Sequence, residues 1–182
     1  DKSIGVLLPG FGFTTQLFGM NLFGGIHRGF TPPSSGALKI LNFGMGEQSS
    51  GLDLEAEKSW NKEIGFRGNL SIIDFEIAGF HIDIENLVAA GRGTAFRNLG
   101  KVNSMGVEVN TNFLLSEKIS FLPNLHFSYA FMKTEVVDGK IISNVSGSAG
   151  SEVSIKGKEL PYAPRHTLTA GFTGNYFNAL SF

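Results

Sequence analysis

Apolar and polar residues alternate at period two across three long segments, which predicts an all-β chain: antiparallel strands forming part of a transmembrane β-barrel wall. In one segment Met105, Val107, Val109, Thr111 and Phe113 oppose Gly106, Glu108, Asn110 and Asn112. In another, Leu125, Phe127, Tyr129 and Phe131 oppose His126, Ser128 and Ala130. In the third, His166, Leu168, Ala170, Phe172, Gly174 and Tyr176 oppose Arg165, Thr167, Thr169, Gly171, Thr173 and Asn175. Segments of about ten residues with one apolar-aromatic face and one polar-glycine face suit a membrane crossed by strands. The 24 Gly and 17 Phe agree with this: Phe supplies surface for lipid, and Gly lets a wall curve and its contents approach closely.

Composition also excludes. A formal net charge of −1 leaves no footprint for nucleic acid. The lack of Cys removes disulfides, thiolate metal sites and cysteine nucleophiles together. No run of about 18 apolar residues is present, so no transmembrane helix is encoded. From Asp1 onward there is no basic n-region or apolar h-region, so any signal peptide is expected outside this chain. There is no Gly-rich phosphate loop, GxSxG elbow or HExxH, and neither catalysis nor a cofactor is expected. His81 and Asp83 share a strand face, but two ligands without a third make a poor metal site.

In chain order, strands are predicted at residues 6–16, 21–29, 57–68, 71–86, 98–113, 124–134 and 162–175. The first takes in an apolar run that Pro9, Gly10 and Gly12 interrupt. The second stops before Pro32 and Pro33, which lack backbone donors and force an extended path on the preceding residue. The third carries Glu63 and Arg67 on its polar face. The fourth is irregular: Ile73, Phe75 and Ile77 share one face, and Phe80, Ile82 and Ile84 take the other. Either a bulge flips its register, or its outer half extends beyond the lipid and packs inward. The last three strands are the alternating segments above.

Connections at 17–20, 69–70 and 114–123 are short or fairly short, while those at 30–56, 87–97 and 135–161 are long and polar. Short periplasmic turns and long extracellular loops are the layout of outer-membrane barrels. Compact soluble domains rarely hold structureless loops of such length.

Four motifs then carry a resemblance. Ile26-His27-Arg28-Gly29-Phe30-Thr31-Pro32-Pro33 resembles the hrGFxPP element of TonB-dependent outer-membrane receptors. Leu54-Glu55-Ala56-Glu57-Lys58-Ser59-Trp60-Asn61-Lys62-Glu63-Ile64-Gly65 resembles that family's LxPExSxxxExG, with Ala56 in place of its proline. Asn98-Leu99-Gly100-Lys101 followed by Gly106-Val107-Glu108 resembles NxGK…GvE. Pro161-Tyr162-Ala163-Pro164-Arg165-His166 resembles the lPxaPxh that opens a later strand. The motifs stand in the family's order, and their spelling is most similar to receptors for iron(III) dicitrate or similar siderophores. The resemblance implies a TonB box and a globular plug inside a barrel of about 22 strands. Neither is found in this sequence, so residues 1–182 are expected to be part of the barrel domain alone, about seven to eight strands from its middle.

By the same resemblance, Glu63, Arg67, Glu108 and Asn110 are expected to face the lumen and meet plug residues, since an unpaired charge there costs free energy. Nothing in their spacing brings Glu63 and Glu108 together as a catalytic carboxylate dyad. His27, Arg28, Arg92 and Arg97 are candidate ligand-facing loop residues. Cations on extracellular loops suit an anionic ferric chelate, and Arg pairs bidentately with carboxylates; the plainer roles are binding lipopolysaccharide phosphates or keeping loops soluble. Trp60, Phe66, Tyr162 and Tyr176 suit interfacial aromatic girdles.

The chain is therefore expected in the outer membrane of a Gram-negative bacterium, as part of a receptor for active uptake of an iron chelate or similar nutrient. Implied partners are outer-membrane lipid and lipopolysaccharide, the plug and remaining barrel, the chelate, and the TonB–ExbB–ExbD complex engaged through the plug region. The alternative is a complete eight-stranded outer-membrane barrel with a structural, adhesive or hydrolytic role. Its length is suitable, and Phe182 resembles the terminal aromatic of barrel proteins. Residues 176–182 are, however, short for an eighth strand. A soluble β-sandwich fits less well, because it does not need so many outward Phe.

Overall fold

A computed structural model describes residues 5–33, 55–90, 96–143, 145–147, 149–176 and 180–181. Thirteen strands are described: β1 (Gly10–Leu17), β2 (Met20–Thr31), β3 (Glu57–Leu70), β4 (Ile73–Glu85), β5 (Val88–Ala90), β6 (Phe96–Asn98), β7 (Lys101–Phe113), β8 (Asn124–Asp138), β9 (Lys140–Ile142), β10 (Glu152–Ser154), β11 (His166–Thr173), β12 (Asn175–Tyr176) and β13 (Leu180–Ser181). The long strands form one antiparallel sheet in the order β1-β2-β3-β4-β7-β8-β11. The pairs β5–β6, β9–β10 and β12–β13 are small separate hairpins. The sheet is an open stretch of barrel wall with β1 and β11 at its edges. Among the described residues, no helix is long and apolar enough to cross a membrane.

All seven predicted strands are present, and the ends moved for local reasons. Residues 6–9 stay outside β1, and the carbonyl of Pro9, which has no N–H to give, accepts the Arg28 amide at 2.9 Å. A break at Gly100, with φ +106, separates β6 from β7. β8 runs on to Asp138, whereas the final strand begins only at His166, after Pro161, a left-handed Tyr162 (φ 62) and Pro164. The two tight turns close on Leu17↔Met20 and Leu70↔Ile73. In the first, Phe18 and Gly19 both take positive φ, as a type I′ hairpin requires. The connection from β7 to β8 contains a 3-10 turn, Leu115–Glu117, anchored by Ser116, whose amide and hydroxyl both donate to Asn124 Oδ1.

The register settles the irregular fourth strand. Pairing of β4 with β3 and with β7 runs from end to end without a slip, so no bulge flips its faces. Instead, the chemistry of both sheet faces inverts along the strands. Toward the tight turns, one face carries Phe66, Ile77, Val109, Tyr129 and Leu168 in a single cross-strand row. Toward the long loops that same face carries Lys62, His81, Met105 and Lys133. The opposite face does the reverse. Its turn-side row is Asn21, Arg67, Glu76, Asn110, Ser128 and Thr169, while its loop-side half holds Phe80, Ile82, Ile84, Val102 and Val136.

Little of this surface is buried in protein. Ala78, Val102 and Val136 are the only buried apolar side chains among those described, and Val102 pairs directly with Val136. Phe11, Ile64, Leu168 and Phe172 keep 57–71% of their surface exposed. A soluble sandwich would cover one face with a second sheet; among the described residues the apolar band stays exposed.

Glycine and phenylalanine meet directly across strands. Phe13 pairs with Gly24, Phe23 with Gly65, Phe75 with Gly68, and Phe80 with Gly106. Each ring lies over the gap its partner leaves, the arrangement by which aromatics compensate glycines in sheets. Phe23 and Phe80 thus stand on the face opposite the apolar band, so the Phe content is not all lipid surface. At Gly106 a Cβ would lie 2.1 Å from the Phe131 carbonyl and 2.7 Å from the Phe80 ring, whereas at Gly79 nothing comes nearer than 3.9 Å.

At the loop end, motif residues tie three connections together. Asn98 Nδ2 donates to the carbonyls of Glu55 (3.0 Å) and Asn86 (2.7 Å), and its Oδ1 accepts the Glu55 amide at 3.0 Å. Asn86 donates to the Glu55 carboxylate, and the Val88 amide to Glu57 Oε1 at 2.7 Å. Gly100 completes the clasp, because a Cβ there would sit 2.3 Å from the Asp138 carbonyl.

Two outcomes follow for the full-length receptor. Gly106→Ala should lower its unfolding free energy in vesicles by about 1–3 kcal/mol through overpacking, whereas Gly79→Ala should leave it within about 0.5 kcal/mol. Urea titration followed by the heat-modifiable gel shift reads both. Asn98→Ala should free the clasp without harming the wall: at about 1 kcal/mol per lost hydrogen bond, amide exchange at Glu55 and Leu99 should quicken more than tenfold while β3 and β4 stay protected.

Candidate functional site

Glu63, Arg67, Glu108 and Asn110 come from two strands separated by β4, and the register puts all four on one sheet face. All are exposed. Arg67 lies over the Phe23 ring at 5.4 Å and reaches Glu76 at 4.0 Å; Glu76 is the register partner of both Arg67 and Asn110. Among the described residues no cation pairs with Glu63 or Glu108, and the two carboxylates fall in different cross-strand rows with β4 between them. They form no dyad. Lower on the same face His126 bridges Asn112 (2.8 Å) and Thr173 (2.9 Å), linking β7, β8 and β11.

The ligand-facing candidates do not converge. His27 and Arg28 are neighbours within β2, so their side chains leave opposite faces. His27 is exposed, on the face of Glu63, in register with Gly10 and Asn61. Arg28 is on the apolar-band face, 5.2 Å over the Trp60 ring and 3.2 Å from Glu85, which Lys101 also approaches. Its guanidinium is held in the wall rather than offered from a loop. Arg97 sits in β6 opposite Ala89, and Arg92 lies outside the described residues. Of the girdle aromatics, Trp60 occupies the loop side of β3, Phe66 the middle of the apolar band, and Tyr162 the connection before β11.

His81 and Asp83 form part of a polar network on the outer half of the apolar-band face. Lys62 Nζ donates to Asp83 Oδ2 at 2.9 Å, Asn103 donates to Asp83 Oδ1 at 3.0 Å, and His81 lies between Asp83 (3.4 Å) and Asn103 (2.7 Å). Both ring nitrogens of His81 have partners, and no group of three His, Cys, Asp or Glu suited to a metal occurs among the described residues.

Sequence reasoning overlooked the carboxylate of Glu76, the Asn98 clasp and the Arg165–Glu159 pair. Glu76 was within reach, since it alternates with Phe75 and Ile77. The other two were not, because they depend on loop paths. Arg165 donates Nε to Glu159 at 3.0 Å and Nη2 to its other oxygen. This bidentate bond holds the Glu159 carboxyl below its ordinary range and fixes the approach to β11.

Comparison with known proteins agrees with this geometry. All 182 residues match the family model described as TonB dependent receptor-like, beta-barrel. Among solved structures the chain is similar to the ferric yersiniabactin uptake receptor FyuA from Yersinia pestis, at 16% identity and a TM-score of 0.58, over 92% of this chain. It is similar to the copper transporter OprC at 15% identity and a TM-score of 0.61, over 91% of this chain. It spans 22% and 23% of those two chains. No match is found among curated proteins. The match along its whole length shows that this chain belongs to the TonB-dependent receptor β-barrel family, a family of transport receptors rather than enzymes.

Proposed function

We propose that this chain forms part of the barrel of an outer-membrane receptor that actively imports an iron chelate, a siderophore or ferric dicitrate. The observation that carries the reading is the segregation of the two sheet faces. One presents an uncovered apolar band, and the other presents Glu63, Arg67, Glu76, Glu108 and Asn110 across three neighbouring strands. With the apolar band in lipid, the polar face borders the lumen. Glu63 and Glu108, which no cation reaches among the described residues, then pair with cations of a plug contributed by the rest of the receptor. Ligand meets the long loops and the plug apex, and the TonB–ExbB–ExbD complex supplies the energy through the plug region. FyuA takes up ferric yersiniabactin and OprC transports copper; the choice of an anionic ferric chelate rests on Arg92 and Arg97, the latter in β6.

The orientation is tested by two arginines one residue apart. Val109 sits in the apolar row between Ile77 and Tyr129, and Asn110 sits on the other face beside Glu76. Val109→Arg should cost about 2–4 kcal/mol, as a charge at the bilayer midplane does, and should reduce assembled receptor. Asn110→Arg should assemble normally and gain a carboxylate neighbour. Equal heat-modifiable folding of both variants overturns the assignment.

The ligand class is tested with ferric dicitrate as probe on the intact receptor. Replacing Arg92 and Arg97 together by Ala should weaken binding at low salt while leaving assembly unchanged. The deficit should shrink as salt rises, since exposed charges are screened over about 8 Å at physiological ionic strength. Unchanged affinity at low salt removes these arginines from ligand capture.

A further inference from the structure

Burial in this chain is concentrated at one place. Val102 and Val136 keep 1% of their surface, and Ser104 and Thr134, the register pair in the next row, keep 6% and 5%. All four stand on one face at the loop ends of β7 and β8. Among the described side chains, the rest of the sheet adds only Ala78 to the buried set. The connection after β8 closes on this small core. Leu160 donates its amide to Thr134 Oγ1 at 3.0 Å, and a Cβ on Gly139 would lie 3.0 Å from Val136 Cγ1. Val136 also exchanges backbone bonds of 2.8 Å with Gly157 and Lys158.

Two glycines join the core to the Asn98 clasp. A Cβ on Gly139 would meet the Leu99 carbonyl at 2.2 Å, and one on Gly100 would meet the Asp138 carbonyl at 2.3 Å. The contact is reciprocal, each backbone set where the other lacks a side chain. Beyond Leu99, its amide donates to the Leu87 carbonyl at 2.7 Å, and Asn98 holds Glu55 and Asn86. Beyond Gly139, its carbonyl accepts the Ile155 amide at 3.0 Å. A continuous series of contacts therefore runs from Glu55, before β3, to Ile155, after β10. Close-packed contacts of this kind are made or broken rather than stretched.

We propose that residues 55–57, 86–88, 98–100, 138–139 and 155–160 form one cooperative unit on the Val102–Val136 core, so that the outer connections loosen together. A contact made by one connection then biases the others, and the coupling free energy is the same in both directions. The unit holds for any cargo and for either orientation of the sheet.

Native-state hydrogen exchange on the full-length receptor in detergent tests this at the bonded amides of Glu55, Leu99, Ile155 and Leu160. In the parent, their protection should agree within about threefold and fall in parallel as urea is raised below the unfolding transition, the mark of a shared opening. Val136→Ala, which hollows the core, should speed exchange about tenfold at Glu55 as well as at Ile155. Asn98→Ala should carry the effect the other way, quickening Ile155 and Leu160. Lys140→Ala removes only the ion pair with Glu152 and should leave Glu55 and Leu99 unchanged. Separate urea dependences in the parent receptor overturn the unit. So does a Val136→Ala or Asn98→Ala receptor in which exchange quickens only in the substituted residue's own connection.

Discussion

Backbone pairing is the constraint on which the rest of this structure depends. Hydrocarbon offers no partner to a free N–H or C=O, so a wall in lipid must satisfy its ladder strand by strand. β3 and β4 pair over thirteen consecutive positions and β4 and β7 over twelve, without a slip. The register irregularity of β7 and β8 sits at Lys101 and Val102, at the loop end. An unbroken ladder has a consequence for side chains. Because their period is two, no residue can change face without a break in register. The inversion seen beside Gly79 must therefore be an inversion of residue type along fixed faces. On the turn side, one face carries Ile77 and Val109 and the other Glu76 and Asn110. On the loop side, the first face carries Lys62 and Asp83. There the second face packs on itself, as Val102 against Val136.

The same ladder explains the glycines. Neighbouring strands lie about 4.8 Å apart, and a ring as large as Phe leaves its cross-strand partner little room. Pairing Phe80 with Gly106 and Phe23 with Gly65 fills each gap once and keeps the backbones close. Where a glycine lacks such a partner, as at Gly79, a groove is left open. Outside the ladder, side chains take over the pairing of backbone groups. Asn98, Glu55 and Glu57 hold amides and carbonyls that no strand serves. The NxGK and LxPE-like spellings are thus accounted for by loop closure, with no ligand needed to explain them.

Much of the wall was legible in the sequence. The polar faces of β7, β8 and β11 follow from alternation, because a half-exposed strand must alternate and a helix cannot, and the other strands follow from turn residues and connection lengths. The placing of Glu63, Arg67, Glu108 and Asn110 on one face is the same signal carried across three strands. The two explanations for the Phe80, Ile82 and Ile84 face could not be separated without the register, since a bulge and an inward-packing outer half write the same pattern. Arg28 was read as a loop cation because it precedes Gly29 and the two prolines. Its fixed place over Trp60 depends on β3 lying beside it and β4 beyond, with Glu85. Strand ends were set by single residues: Pro9 shortened the first, Gly100 divided the fifth, and Pro164 delayed the last.

Wall and ligand place different demands on the chain, and this governs where specificity can be written. A wall residue answers to lipid on one face and to the lumen on the other, and those environments are the same whatever the receptor carries. The ferric yersiniabactin uptake receptor FyuA and the copper transporter OprC accordingly each share this fold with the chain at only 15–16% identity. What remains for recognition is the loop end, where the ladder releases the backbone and charge is no longer excluded by hydrocarbon. There the chain invests its cations unevenly. Arg28 and Arg165 are each tied to a carboxylate and serve the architecture. Side chains with no structural duty are the ones left to meet a ligand, so the useful distinction among the basic residues is engagement rather than charge.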